Sequence, residues 1–248
     1  MKIVFTPDWF LGSDVLIEIF SFIILVLFFY FSVRAYKINK KKNSLYLGTA
    51  FLLIAVAELA TIFTKLILYY DTTFTQNIGR VVVTYSIVKS VDVFYYIGFF
   101  FHKFLTLFGF YLIYRIPLEK KSSEDFMLAV YFIILSAFFS QGVYALFHLT
   151  ALVLLILIAN NYYKIYKKNR LPNTKILVIV FSILAFSQIL LLMSQVEFIY
   201  ALAQVLQLVS YLILLVLIIR IIKYGTKKKS SKHNIRYVRN NPRKKRRD

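Results

Sequence analysis

Residues 15–33 read VLIEIFSFIILVLFFYFSV, and the next nine read RAYKINKKK. The first run carries one charge, Glu18, and shows no polar face of the kind a helix on a soluble domain would turn to water. Its length matches the ~20 apolar residues needed to cross the hydrocarbon core of a bilayer. The second run is a basic stop. The same alternation recurs along the chain, giving apolar segments near 15–33, 45–69, 91–114, 126–139, 143–163, 176–193 and 199–222. Inside a bilayer the backbone has to satisfy its own hydrogen bonds, so each segment is expected to be a helix. Hydrophobic residues make up 60% of the 248, and mean hydropathy is +0.69. A water-soluble domain of this length has too little interior for that much apolar surface. The expected fold is therefore an all-α integral membrane protein. A single bundle of seven transmembrane helices occupies residues 1–225, and a basic, disordered tail occupies 226–248. The fourth segment is short and joins the fifth through Ser140-Gln141-Gly142. A re-entrant pair is the alternative for these two.

Lysine and arginine set the expected orientation. One set of loops holds Arg34, Lys37, Lys40, Lys41 and Lys42, then Arg115, Lys120 and Lys121, then Lys164, Lys167, Lys168, Arg170 and Lys175. The opposite loops hold little besides Lys2 and Arg80. The basic side belongs in the cytoplasm, so the N-terminus lies outside and the C-terminus inside, in the cell membrane. Pro7, Asp8, Asp14 and Glu18 break the pattern of a secretory signal. The first residues read instead as a short external arm with Trp9 at the outer interface. The tail presents Lys227, Lys228, Lys229, Arg243, Lys244, Lys245, Arg246 and Arg247, a cluster suited to anionic lipid of the inner leaflet. RNA or a ribosome is the lesser alternative for that charge, and a membrane-protein partner is the third.

Several chemistries are excluded or lack their residues. With no cysteine there is no disulfide, thiolate metal site or cysteine nucleophile. Of three histidines, His233 lies in the tail, and His102 and His148 on different helices are too few for a zinc hydrolase. Neither a serine-hydrolase elbow nor a phosphate-binding loop occurs. No catalytic residue, metal site or cofactor is expected. Helix count and direction resemble the microbial rhodopsins, but a retinal protein needs a lysine midway along its last helix, and Lys223 lies at the cytoplasmic end.

What remains is a set of polar side chains within apolar helices, where each costs a few kcal/mol. They fall on helical stripes: Asp14, Glu18 and Ser21; Glu58, Thr61 and Lys65; Lys89 and Asp92; Gln141, Tyr144 and His148; Glu197, Tyr200, Gln204, Gln207 and Tyr211; and Ser187 with Gln188. Most lie toward the outer half of their helices. The expectation is an outward-opening polar pocket built from Glu18, Glu58, Lys65, Lys89, Asp92, His102, Lys103, His148, Gln188, Gln204 and Gln207. The alternative is that buried polar contacts only hold the bundle together. Near mid-depth, Glu58 and Lys103 are expected to pair, with His102 at the edge of the contact. The aromatic third segment allows a ligand cage. No internal repeat is legible, because an inverted three-plus-three repeat would show matching Gly- or Pro-broken segments. The leading function is a receptor-like or sensor-like module. A small proton- or ion-coupled transporter using Glu58, His102 and Lys103 is the alternative, and a structural subunit of a membrane complex is the third.

Overall fold

The computed structural model describes residues 8–10, 12–40, 42–78, 81–118, 122–140, 142–193 and 197–240, with side chains described for 9–10, 12–38, 40, 42–67, 95–118, 122–140, 142–193 and 198–223. After a 3-10 turn at Asp8–Phe10 come seven helices: α1 Ser13–Asn39, α2 Lys42–Ile78, α3 Val81–Arg115, α4 Ser123–Phe139, α5 Tyr144–Asn169, α6 Pro172–Leu192 and α7 Glu197–Asn240. No strand occurs among the described residues. Each of the seven apolar segments is helical. Six contain a stretch long and apolar enough to cross a membrane: Ser13–Ile38, Lys42–Ile67, Tyr95–Arg115, Tyr144–Asn169, Pro172–Leu192 and Phe198–Lys223. α4 falls short. Its 17 residues rise about 26 Å, against a hydrocarbon core of about 30 Å.

Three boundaries differ from the sequence expectation. α2 and α3 run through most of the loop expected between residues 70 and 90. α7 continues to Asn240, past position 225 where a disordered tail was expected. Apolarity marks the part of a helix that meets hydrocarbon. It does not mark where the helix ends, because polar residues continue a helix once the chain reaches water.

The helices close into a ring. α1 packs on α2 and α7, α2 on α3, α3 on α5, α5 on α6, and α6 on α7. α4 touches only α3 and α5 to any extent, and it turns Met127, Leu128, Tyr131, Phe132, Phe138 and Phe139 outward. Close approach between α2 and α3 depends on glycine. A Cβ added to Gly109 would lie 2.7 Å from Ile54 Cγ1 and 3.0 Å from the Ala50 carbonyl oxygen, and one added to Gly98 would collide with Thr64.

The ring consists of two similar halves. α1 gives way to α2 at Lys40, and α5 gives way to α6 at Arg170, a shift of 130 residues. Both turning residues adopt the left-handed conformation, with φ 55° and 52°. Their backbone N–H groups donate to the carbonyls of Tyr36 and Tyr166, each at 2.7 Å. Under the same shift the buried positions coincide. In α1 and α5, Glu18 matches His148, Leu25 matches Leu155, Phe28 matches Ile158 and Ser32 matches Tyr162. In α2 and α6, Phe51 matches Phe181, Ile54 matches Leu184, Ala55 matches Ala185, Ala57 matches Ser187 and Glu58 matches Gln188. In α3 and α7 a shift of 104 aligns Thr106 with Ser210, Leu107 with Tyr211, Phe110 with Leu214 and Ile113 with Leu217. Exchanging α1 with α5, α2 with α6 and α3 with α7 maps the ring of contacts onto itself. The expectation of no repeat is therefore corrected. The repeat is parallel rather than inverted, and it preserves which positions are buried more than which residues fill them.

One end of the ring is basic. It is marked by Lys37, Lys40, Lys42, Arg115, Lys164, Lys167, Lys168, Arg170 and Lys175. About 9–14 Å above it, an aromatic row crosses the interior from α1 to α5. Phe28 meets Phe51 edge-on at 4.8 Å, Phe51 stacks on Phe181 at 6.5 Å and 9°, and Phe181 stacks on Tyr162 at 5.6 Å. Phe51 and Phe181 are equivalent positions of the two halves. Ile54, Leu107, Phe110, Leu155, Ile158 and Leu214, all buried, fill in around this row. At the opposite end, Phe10 packs edge-on against Tyr200 at 6.2 Å and against Leu191, anchoring the arm over α6 and α7, while Trp9 is exposed.

Candidate functional site

Polar side chains gather on the far side of the aromatic row from the basic end. Counted along their helices, Glu18, Glu58, His148 and Gln207 each lie about 24 Å from the basic residues that end those spans, and His102, Lys103 and Gln188 about 18–20 Å. The described members of these stripes therefore lie at similar depth. They divide into three groups.

The first group joins α1 to α2. Lys65 Nζ donates to Asp14 Oδ2 at 2.7 Å and to Glu18 Oε1 at 2.5 Å. All three side chains are buried, at 4%, 0% and 6% exposure. The second oxygen of Glu18, Oε2, is buried and accepts no hydrogen bond from the described residues. The second group joins α2 to α7. Gln207 Nε2 donates to Glu58 Oε1 at 3.2 Å and to the Tyr211 hydroxyl at 3.0 Å. One turn away, Gln204 Nε2 donates to the Tyr200 hydroxyl at 3.3 Å. The third group belongs to the second half. His148 Nδ1 donates to Gln188 Oε1 at 2.8 Å, joining α5 to α6.

The expected Glu58–Lys103 pair does not form. Lys103 Nζ donates to the Ser140 carbonyl at 2.9 Å, and His102 Nδ1 donates to the Ala57 carbonyl at 3.1 Å. The reason is angular. Adjacent residues on a helix point about 100° apart. His102 faces α2, which turns Lys103 toward the end of α4. There the ammonium meets the carbonyl end of a helix, where a cation is favoured. The aromatic cage that the third segment allowed does not form among the described residues. Phe100, Phe104 and Phe108 stack along one side of the helix at 6.1 and 5.9 Å, and the row ends on Phe126 of α4.

Of the expected pocket residues, Glu18, Glu58, Lys65, His102, Lys103, His148, Gln188, Gln204 and Gln207 are accounted for above. The side chains of Lys89 and Asp92 lie outside the described residues, as do those of Gln141 and Glu197. Lys227, Lys228 and Lys229 lie in α7 with only their backbone described. Arg243, Lys244, Lys245, Arg246 and Arg247 lie outside the described residues altogether. Sequence reading set Asp14 in the right stripe but left it out of the pocket, where it is one of the two carboxylates on Lys65. It also left out Tyr200 and Tyr211, which belonged to the α7 stripe. Nothing local in the sequence marks Phe51 and Phe181 as the middle of the aromatic row, because phenylalanine is abundant throughout.

The electrostatics are lopsided between the halves. Among the described side chains, the first brings Asp14 and Glu18 onto the ammonium of Lys65, with Glu58 two turns away on α2. At the equivalent positions the second brings His148 and Gln188, which satisfy each other. Among the described residues no three ligating side chains come together to hold a metal ion. Comparison with known protein families, curated proteins and solved structures finds no match.

Proposed function

We propose that this chain is a small transporter of the cell membrane, with seven spans, its N-terminus outside and its tail in the cytoplasm. Its solute site lies between the two halves of the ring. One observation carries the reading. Equivalent residues of the halves meet in an apolar layer, where Phe51 stacks on Phe181, and the equivalent positions Glu58 and Gln188, each in its own polar group, lie seven residues or about 10 Å further along their helices on the same side of that stack. Parallel repeats about an axis along the membrane normal, with a polar site at their interface, suit a mechanism in which one half rocks against the other. The Phe51–Phe181 layer is then the closed gate on the cytoplasmic side, and the polar layer opens outward.

α4 serves as the crossing that lets the second half run in the same direction as the first. It is short but adequate, because Lys103 meets its last carbonyl inside the bundle. This arrangement keeps every strongly basic loop on the cytoplasmic side. The basic tail contacts anionic lipid there. The receptor-like reading uses the same outward pocket but gives the duplicated halves no role. The mid-depth relay through Glu58, His102 and Lys103 loses support, since each of the three bonds to a different helix.

Flux separates the two readings. In proteoliposomes holding the full chain, solid-supported-membrane recordings against a panel of small polar solutes should give saturable currents or uptake for one of them. Phe51→Trp, which overfills the gate, should slow that flux. A solute that binds saturably but never crosses would sink the transporter reading and return the site to a receptor.

A further inference from the structure

We infer that α4, which has no counterpart in either half, moves as part of the first. Helices α1 to α4 form one body, and α5 to α7 swing against it about the turn that joins α4 to α5. This rests on the rocking of the halves proposed above and names the side of the moving boundary to which the crossing helix belongs.

The two neighbours of α4 hold it very differently. α3 fastens it at both ends. At one end the Lys103 ammonium donates to the Ser140 carbonyl at 2.9 Å, a charge-assisted bond at the carbonyl end of a helix. At the other end Arg115 donates to the Ser122 carbonyl at 3.1 Å and lies over the Phe126 ring at 4.9 Å. Phe126 also packs on Phe108 and Tyr111, with centroids 6.3 and 6.0 Å apart. The Tyr111 hydroxyl donates to the Asp125 carbonyl at 3.4 Å. A helix bound at both ends keeps its angle to its partner. Among the described side chains, the hydrogen bond that joins α4 to α5 runs between Ser136 Oγ and Thr150 Oγ1 at 2.9 Å. Thr150 gives its own proton to the Leu146 carbonyl at 2.7 Å, so Ser136 is the donor. A single bond between neutral hydroxyls is weak net support. The chain itself makes the other link, by a turn in which the Gly142 and Val143 N–H groups donate to the Phe139 carbonyl at 3.1 and 3.2 Å. A Cβ added at Gly142 would meet nothing nearer than that carbonyl, at 3.8 Å. Such a turn holds two helix ends together and leaves the angle between the helices free. The body that contains α4 continues through the first half, because Gly98 and Gly109 press α3 onto α2 and Lys65 ties α2 to α1.

The test uses the full chain in nanodiscs and in proteoliposomes, and the absence of native cysteine keeps it clean. Nitroxide pairs are placed on exposed positions, Tyr131→Cys with Phe101→Cys for α4 and α3, and Tyr131→Cys with Val153→Cys for α4 and α5. Should Tyr131→Cys fail to fold, Leu128→Cys, also exposed, takes its place. Double electron–electron resonance should give one narrow distance distribution for the first pair and a broad or two-peaked one for the second. In proteoliposomes, Ser136→Cys with Thr150→Cys is oxidised by copper phenanthroline to lock α4 onto α5. Flux of a solute that the reduced form carries should fall to background and return on reduction. Equally narrow distributions for the two pairs, a broader one between α4 and α3, or undiminished flux through the locked form would overturn the inference. A broad distribution between α4 and α5 with flux of no solute would keep this inference and remove the transporter. Flux through a chain in which both distributions are narrow would do the opposite.

Discussion

Lys65 is the most exposed point of the account to a single mutation. Replacing it with methionine keeps the apolar stem and removes the ammonium that Asp14 Oδ2 and Glu18 Oε1 accept from at 2.7 and 2.5 Å. Both carboxylates then lose the ammonium that joins them across α1 and α2. Removing one partner of a buried ion pair costs about 3–5 kcal/mol, most of it from the charge left behind. With two carboxylates affected, the upper end of that range applies, against a total stability of about 5–15 kcal/mol for a typical fold. At roughly 2–4 °C per kcal/mol for a chain of about this size, Lys65→Met should lower the melting temperature in detergent by about 10–20 °C. Combining it with Glu18→Gln removes one of the two charges, so the double variant should be more stable than Lys65→Met alone. A cycle of the two single variants and the double, followed by thermal unfolding, measures the coupling. A shift under about 3 °C for Lys65→Met, or strictly additive effects, would refute the claim that this triad is a tightly coupled buried cluster.

Three other outcomes follow from the same structure. Gly109→Ala should cost about 1–3 kcal/mol by overpacking α2 against α3. Gly142→Ala should be nearly neutral by comparison, because the nearest atom to the added carbon lies 3.8 Å away; equal losses would contradict the close approach at Gly109. In intact cells an impermeant thiol reagent should label Thr75→Cys and spare Asn169→Cys, and the opposite pattern would reverse the orientation. Deleting residues 227–248 should weaken sedimentation with anionic vesicles and leave the melting temperature unchanged; a large thermal loss would show that the tail packs on the bundle.

How much of this was legible beforehand depended on the kind of signal. Apolar run length and basic stops found every helix, because the bilayer enforces both. Helical spacing put Asp14 with Glu18, and Glu58 with Lys65, on shared faces, and those faces are buried. The pairing between helices was not legible. Glu58 and Lys103 match in depth and in charge, yet Lys103 points at α4 and Glu58 at α7, and only the rotation of each helix about its axis decides that. The repeat was hidden for a different reason. Glu18 opposite His148 and Glu58 opposite Gln188 keep burial and polarity but not identity. The one local trace is Tyr36-Lys37 with Asn39 before Lys40, echoed by Tyr166-Lys167 with Asn169 before Arg170. The loop expected around residues 70–90 failed because charged and polar residues there were read as a break, when they continue two helices beyond the apolar core.

The central claim is a polar layer open to the outside above an apolar layer that is closed, and cysteine accessibility along α7 tests it most directly. The native chain has no cysteine to interfere. Gln204 lies in the polar layer and Leu214 in the apolar one, ten residues and about 15 Å apart on the same helix. With an impermeant thiol reagent applied to proteoliposomes from each side, Gln204→Cys should react from outside, and Leu214→Cys should react from neither side. A Gln204→Cys that stays inert from outside, or a Leu214→Cys that reacts from outside as fast as it does, would contradict the account.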